Sequence, residues 1–546
     1  MFCCFLKLRV STLHSDKFCK SLCYNSGMTP EQKNKLKKPI KPSRLDRDLS
    51  QVASKMMSFL PSDSIDYGSH QPSDLVDPLA STRHEISSST VEFDQPNYEK
   101  MVLPADVNAI LDRLNLAGEG FIVGGAVRDT LLGKQPKDYD FTTNLNYETV
   151  AELFASCPHK EVGKAFGIIT INYNGEDYEI AQYRQDLNAK NRAETEVGFV
   201  EHVEDDLSRR DFTINALAYN PQRGIVDLFN GQDDIKNRTI RFIGDPSQRV
   251  KEDGLRIMRA FRFASTKGFH LAPETAQAIF EYRTELDTIS PDRINLELTK
   301  ILTGDNVKNT LIAMQETHVL DQIIPEFKET YGYQQDNPHH QEPDLFSHII
   351  DVVDGVNADP ILRYAALFHD LAKPKTRTTD ERGIGHYYGH EEAGALLAKD
   401  ILERLRLPKE IIEKSTELIA NHMAFHGDPS TKTMAKYIRQ LGVEQSARLV
   451  ELTIADNGAK GSIKTEADLL AEQNLKQKYA EALKLAQPGL TVNTLALNGH
   501  ALKELGFSGQ AIGAMKKQLL TLILDGKLEN TQDSLLEFVK QTLEKS

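Results

Sequence analysis

The chain has 546 residues and a formal net charge of −14, so it is long enough for several domains and too acidic overall to coat nucleic acid non-specifically. No apolar run approaches the roughly 20 residues that span a bilayer, which argues against a membrane protein and predicts a cytoplasmic location. Five cysteines, four of them before residue 24, make no spaced disulfide framework and fit a reducing compartment.

Residues 1 to 100 lack sustained periodicity, are rich in Ser, Pro, Lys and Asp, and read as a largely disordered extension. Residues 1 to 44 carry ten Lys or Arg against two acidic residues. Such a segment is an organelle transit peptide, an RNA-attracting arm, or sequence upstream of a later start such as Met28. The preferred expectation is no targeting function. Cys19 and Cys23 have the spacing of half a metal site, without a matching pair nearby.

From about 101 to 240, short apolar runs alternate with helical segments, the pattern of an α/β unit. Phe121-Ile122-Val123 stops at Gly124-Gly125 and reads as a buried strand followed by a turn of little bulk. That turn lets backbone N–H groups approach a phosphate, and a helix over Ala126 to Leu132 would favour an anion at its start. A second strand is expected to begin near Asp138, so that Asp138 and Asp140 project from one face. Paired carboxylates repel unless a cation sits between them, and hard oxygen ligands suit Mg²⁺ carried in with a nucleotide; the alternative is a solvated strand edge. Helix is expected over Tyr147 to Ser156, and strands over Gly167 to Tyr173 and Tyr178 to Tyr183. The second of these strands carries Glu179, either a third carboxylate for the pair or a solvent-facing residue. Asp186 to Glu196 is polar, without period, and reads as a mobile loop.

Residues 208 to 262 contain eleven Lys or Arg against seven Asp or Glu, a locally positive stretch. Within it Asp211 and Asn215 are four apart, on one face if helical, and Arg210 would aim at a phosphate. A helix start capped by Ser208 is the alternative. From about 241 the pattern is helical, with Ile257, Phe261 and Ala264 on one apolar stripe. Arg256, Arg259 and Arg262 recur every three residues, and three neighbouring cations would be relieved by a triphosphate. Asp253 and Arg256 would set an acceptor beside donors. That pair accepts the N4 amine of cytosine while donating to N3 and O2, or accepts the N6 amine of adenine while donating to N1; uracil and guanine offer N–H where the arginine needs an acceptor.

Further on, His369-Asp370 sits inside an apolar helical run, with His348, His390, His422 and Asp456 elsewhere in the same half. Burying them is costly unless they bind one another or a metal. Turn-rich breaks fall near Gly304-Asp305, Asp336-Asn337-Pro338, Gly458 to Gly461 and Gln487-Pro488-Gly489. Residues 461 to 546 hold ten charges of each sign, so any RNA contact there rests on shape and a few contacts.

Turn, helix, strand and paired carboxylates in this order resemble the polymerase-β-like nucleotidyltransferases. Gly124-Gly125-Ala126-Val127-Arg128-Asp129 and Pro136-Lys137-Asp138-Tyr139-Asp140 are similar to the bacterial-type (class II) tRNA nucleotidyltransferase and poly(A) polymerase family, in particular its CCA-adding branch. Glu252-Asp253-Gly254-Leu255-Arg256 matches the family's base-reading motif, and Leu497 to Phe507 resembles its C-terminal part. The resemblance implies addition of CCA to the 3′ end of tRNA from CTP and ATP. It also implies Mg²⁺ on Asp138 and Asp140, Gly125 and Arg128 on nucleotide phosphates, and Arg210, Asp253, Arg256, Arg259 and Arg262 on the incoming nucleotide. Poly(A) addition and partial CC or A addition are the alternatives. His159 to Phe166 lacks the arginine-rich run usual in poly(A) polymerases, and Asn191-Arg192-Ala193-Glu194 favours full CCA addition. His348, His369, Asp370 and Asp456 resemble the ligands of the HD phosphohydrolases, which implies a divalent metal there, and a phosphohydrolase with an RNA-binding head is the reading from another class. The expected layout is an extension (1–100), an α/β nucleotidyltransferase head (101–240), a helical neck (241–330), an HD domain (331–460) and a helical C-terminal tRNA-binding region (461–546).

Overall fold

The computed structural model describes residues 101–160, 163–186, 197–335, 344–381, 384–460, 465–486, 490–524 and 527–544. The N-terminal extension with Cys19, Cys23 and Met28, the Asn191 to Glu194 loop element, and the breaks at 336–338 and 487–489 lie outside the described residues. So do positions 161–162 of the segment set against the poly(A) polymerases, and Gly461 of the break near 458–461.

The head runs α1 (Ala105–Ala117), β1 (Gly120–Val123), α2 (Gly125–Leu131), β2 (Asp140–Thr143), α3 (Tyr147–Leu153), β3 (His159–Lys160), β4 (Ile168–Tyr173), β5 (Glu176–Gln182), β6 (Arg184–Asp186), β7 (Val197–Phe199), α4 (Val203–Ser208), β8 (Leu217–Asn220) and β9 (Gly224–Asp227). Seven strands form one sheet in the order β3-β4-β5-β2-β1-β8-β9. β1 is central, paired antiparallel to β2 and β8, and all four of its residues are buried, which is why an uninterrupted apolar run encodes it. Phe121 and Val123 pack with Tyr183, Val203, Leu207, Ala216, Ala218 and Ile243 into one core.

β2 begins at Asp140, two residues later than the expected start. Val123 opposite Asp140 is the last pair of the β1–β2 ladder, because Gly124 turns away at φ 64° and gives its N–H to the Leu217 carbonyl at 2.9 Å. Asp138 and Tyr139 therefore have no β1 partner. The expected helical face carrying Asp211 and Asn215 is absent as well: Ser208 ends α4 rather than capping a new helix, and Thr213–Asn215 is a single 3₁₀ turn.

The chain continues through α5 (Gly231–Lys236), β10 (Thr239–Ile240), α6 (Pro246–Glu252), α7 (Leu255–Lys267), β11 (His270–Leu271), α8 (Pro273–Tyr282), α9 (Pro291–Leu302), α10 (Val307–Glu316) and α11 (Val319–Ile323). Asp245 caps α6 through the Ser247 N–H, with Pro246 in its first turn. The expected continuous helix across Glu252 to Arg262 is broken at Asp253, which is extended (φ −153°, ψ 103°). Gly254 packs so closely on residue 285 that a Cβ would lie 2.6 Å from the Glu285 carbonyl oxygen. Beyond the break Ile257, Phe261 and Ala264 are buried on α7.

The remaining elements are α12 (Leu345–Gly355), α13 (Pro360–Phe368), α14 (Lys373–Thr376), β12 (Thr378–Thr379), β13 (Gly385–His386), α15 (His390–Arg404), α16 (Lys409–Asn421), α17 (Thr431–Gly458), α18 (Glu466–Ala486), α19 (Gly499–Glu504), α20 (Gln510–Leu524) and α21 (Gln532–Glu544). An α/β head followed by a mainly helical remainder is thus the architecture. Leu497, Leu502, Met515, Leu519, Leu535 and Val539 build a separate small core near the C-terminal end. Among the described residues no helix is long and apolar enough to cross a membrane.

Candidate functional site

Two constellations stand out, one in the head and one in the helical half. In the head, Asp140 is flanked on its two edges by Val123 of β1 and Glu179 of β5, and Asp138 immediately precedes the strand. The side chains of Asp138, Asp140 and Glu179 are all exposed. Crowded surroundings, then the charges of Asp138 and Glu179, raise the Asp140 carboxyl above its ordinary range, while Arg210 opposes them. Mutual repulsion of this kind is what a divalent cation would relieve, so the donor set fits a hard metal ion.

The Gly124-Gly125 turn lies against two guanidinium groups. A Cβ on Gly124 would be 2.9 Å from Arg210 Nη1, and one on Gly125 would be 3.6 Å from Arg128 Nη2. Arg210 and Arg209 both pair with the buried Asp206, at 3.2 and 2.7 Å. Arg128 is buried and donates to Asn215 Oδ1 at 2.5 Å; Asn215 Nδ2 in turn donates to Asp211 Oδ1 at 2.9 Å. Asp211 Oδ2 accepts from Arg259 Nε at 2.8 Å and Nη2 at 2.5 Å. Burial would raise the Asp211 carboxyl, but the Arg259 charge and the Asn215 and Phe212 donors outweigh it and hold it low. Asp211 and Asn215 therefore meet through a turn, without the helix that their spacing suggested.

The arginine row has a different explanation from the one its repulsion suggested. Arg256 pairs with Glu252 at 2.6 Å, Arg259 with Asp211 at 2.5 Å, and Arg262 with Glu297 at 3.3 Å. Each cation has its own carboxylate, so no polyanion is needed for them to coexist. Nor are Asp253 and Arg256 joined side chain to side chain. Asp253 Oδ2 lies 3.3 Å from Arg293 Nη2 of α9 and its Oδ1 accepts from the Leu255 N–H, while Arg256 also donates to the carbonyls of Arg249 and Arg209. Arg293, Glu297 and Asp206 were not singled out in the sequence, because their partners lie on other elements and no local spacing marks them.

In the helical half, His348 of α12, His369 and Asp370 after α13, His390 opening α15, His422 after α16 and Asp456 of α17 converge, all buried. Their ligand atoms form two groups, His348 with His369 and Asp370, and Asp370 with His390 and His422, each within 4.8 Å. Asp370 Oδ2 is 3.3 Å from His348 Nε2 and 3.2 Å from His369 Nε2; Oδ1 is 3.3 Å from His390 Nε2 and 3.8 Å from His422 Nε2. Asp456 Oδ1 is 3.1 Å from His348 Nε2, and Oδ2 is 2.8 Å from His426 Nε2. His426 is a further member that the sequence reading passed over, although it stands four residues after His422.

The Nδ1 atoms of His369, His390 and His422 lie 2.8, 2.7 and 2.7 Å from the carbonyls of Ala366, Tyr387 and Ile419. Donating there assigns the proton to Nδ1 and turns the Nε2 lone pairs on Asp370. Asp370 Oδ1, buried with no hydrogen-bond donor, then faces lone pairs rather than protons. That arrangement fits a cation between carboxylate and imidazoles. Lys373 Nζ, 2.6 Å from Oδ2, supplies part of the positive charge.

Burial, then the neighbouring His369, pushes the His422 imidazole from 6.5 down to about 3, against the pull of Asp370. The folded state thus refuses a proton that the unfolded chain takes up below 6.5, so this contribution to stability is full above 6.5 and is lost as pH falls toward 3. His390, raised by Asp370 against its burial, works in the opposite sense. We expect chelated protein to lose thermal stability on acidification from neutral pH to 5, and His422→Asn to flatten that slope. Equal slopes for parent and variant would refute the assignment.

Residues 120–241 match the model of the poly A polymerase head domain, 268–330 that of the probable RNA and SrmB-binding site of polymerase A, and 344–459 that of the HD domain. The Lactobacillus helveticus CCA-adding enzyme is 42% identical over 220 residues, 40% of this chain and 54% of that protein, so the chain spans about half the length of this relative. Poly(A) polymerase I of Salmonella typhimurium is 32% identical over 325 residues, 55% of this chain and 68% of the relative. The chain belongs to the tRNA nucleotidyltransferase and poly(A) polymerase family. The fold of this tRNA nucleotidyltransferase family member is shared with the crystal structure of the Bacillus stearothermophilus CCA-adding enzyme in complex with CTP, at a TM-score of 0.59 and 24% identity over 81% of this chain and 97% of that one.

Proposed function

We propose that the protein adds CCA to the 3′ end of tRNA, with CTP and ATP as substrates and Mg²⁺ in the head. The observation that supports nucleotidyl transfer most directly is the row of Asp138, Asp140 and Glu179 beside Arg210, whose charges act on one another. When bound, Mg²⁺ lowers the pKa of an attacking hydroxyl and neutralises charge on the phosphates. Asp138 and Asp140, with Glu179 beside them, hold it. Gly125, without a side chain, lets a phosphate approach Arg128 and Arg210, while Asp211 and Asn215 keep Arg128 and Arg259 in place. We assign Arg259 and Arg262 to the nucleotide as well, each positioned by a carboxylate.

Asp253 accepts the exocyclic amine of cytosine or adenine, and Arg256 donates to the ring acceptor. A carboxylate has about four acceptor positions, so Asp253 can take an amine while it keeps Arg293. Arg256 has five N–H donors and spends three on Glu252 and the carbonyls of Arg249 and Arg209, which leaves two for the base. Asp253→Ala is expected to relax base choice by about 1–3 kcal/mol, read as the ratio of CTP to UTP incorporation, and Arg256→Ala to slow addition of both correct nucleotides. If Asp253→Ala still refuses UTP as firmly as the parent, the residue does not read the amine.

For the helical half we propose a divalent-metal phosphohydrolase acting on phosphate esters at RNA 3′ ends. His348, His369, Asp370 and Asp456 hold one ion, and His390 and His422 with Asp370 provide a second set of ligands. The layout we propose for these tasks is head 101–240, neck 241–330, HD domain 331–460 and C-terminal tRNA-binding region 461–546. Incubating the protein with tRNA lacking its 3′ end and each nucleotide singly tests the main reading. Stepwise C, C and A supports it. Runs of A would favour poly(A) addition, which the identity to the Salmonella enzyme keeps as the second reading.

A further inference from the structure

The segment leading into the His–Asp cluster carries two rings that neither the ligand set nor the core uses. β12 and β13 pair with Thr378 opposite His386 and Thr379 opposite Gly385, and the chain then runs through Tyr387, Tyr388 and Gly389 into α15 at His390. His386 and Tyr388 stack, with ring centroids 5.3 Å apart and planes 10° from parallel. Asp380 Oδ2 lies 3.3 Å from His386 Nε2 and fixes the inner ring. The outer ring is 78% exposed, so burial of apolar area does not account for its position.

We infer that His386 and Tyr388 form a stacking platform for a nucleobase, a subsite for the terminal base of an RNA end whose phosphate enters the His–Asp cluster. This rests on the phosphohydrolase reading of that cluster. Spacing along the chain is compatible with it: Tyr388 is two residues from His390, and consecutive Cα atoms are about 3.8 Å apart, so the backbone that carries the outer ring starts within about 8 Å of that of a ligand. The segment is also anchored to the cluster, since the Tyr387 carbonyl accepts from His390 Nδ1 at 2.7 Å. Lys373, whose ammonium is 2.6 Å from Asp370 and 5.6 Å from the ring of Tyr387, the residue before Tyr388, places a positive charge at the cluster that would attract a phosphate. Any base offers a π face, so the subsite accepts purines and pyrimidines alike, and it adds a hold on the end nucleotide that the metal ligands cannot give.

The test uses the full-length protein and the fluorescent nucleotide 2-aminopurine riboside 2′,3′-cyclic phosphate, titrated with chelated and with metal-loaded protein. Stacking should quench the probe. Tyr388→Ala should weaken binding about five- to 150-fold, the range spanned by one stacked base, and Tyr388→Phe should restore it because the face and not the hydroxyl is used. The head is identical in all three proteins, so any difference belongs to residue 388. A parent that does not quench, or a Tyr388→Ala protein that quenches as well as the parent, overturns the platform. Hydrolysis of glycerol phosphate by the metal-loaded parent reports on the phosphohydrolase reading separately. If that activity is absent while the Tyr388-dependent quench persists, the platform stands and the phosphohydrolase reading fails.

Discussion

Replacing Asp140 by alanine is expected to lower nucleotide incorporation by about three orders of magnitude, roughly 4 kcal/mol of transition-state stabilisation, while the melting temperature stays level or rises slightly. Asp140 is the member of the carboxylate row that sits in the ladder between Val123 and Glu179, so no backbone adjustment can replace its oxygen. Its ionised form is disfavoured by its crowded surroundings and by the charges of Asp138 and Glu179, and removing it relieves that repulsion. Arg210 loses one attraction but keeps Asp206 at 3.2 Å. Single-turnover incorporation into tRNA lacking its 3′ end, beside a thermal melt, separates the two effects. A raised Asp140 pKa also means that the metal-binding form is lost earlier on acidification than an ordinary carboxylate would be. An Asp140→Ala protein that incorporates at the parental rate would remove this residue from the active site.

Local pattern made the central strand legible: Phe121 to Val123 is apolar throughout because β1 is covered on both edges and both faces. The stripe of Ile257, Phe261 and Ala264 was legible for the same kind of reason, since a buried helix face repeats at three and four residues. What escaped depends on contacts far along the chain. The break at Asp253 falls beside the close approach of Gly254 to Glu285, and the partner of Arg262 lies on α9 at Glu297. Judged by spacing alone, Arg256, Arg259 and Arg262 form an unrelieved cationic stripe; folded, they are three separate ion pairs. The start of β2 was misplaced because Gly124 gives its N–H to Leu217 of β8, a strand nearly a hundred residues away. In the helical half the reverse holds. His369-Asp370 in an apolar run was conspicuous, since burial without partners would cost too much, whereas His426 looked ordinary until Asp456 Oδ2 was found 2.8 Å from it.

Asp370→Asn is expected to abolish metal retention and phosphate-ester hydrolysis by the helical half, yet to leave CCA addition to tRNA lacking its 3′ end unchanged. Asp370 belongs to both ligand groups, with Oδ2 toward His348 and His369 and Oδ1 toward His390 and His422. Losing its charge removes the carboxylate that both halves share, and only the His348 side retains another, Asp456. Asparagine is preferred to alanine for this test. Asp370→Ala would strand the buried Lys373 ammonium, now 2.6 Å from Oδ2, and breaking a buried pair costs about 3–5 kcal/mol, partly offset here by Gln335 Oε1 at 2.8 Å from the same nitrogen. The asparagine variant keeps the volume and an acceptor for Lys373, so loss of metal can be separated from loss of fold. Elemental analysis after dialysis reads the first, a thermal melt the second, and incorporation by the head the third. Full metal content in the folded Asp370→Asn protein would show that the ion does not depend on the shared carboxylate, and reduced CCA addition in that protein would show that the two sites are coupled.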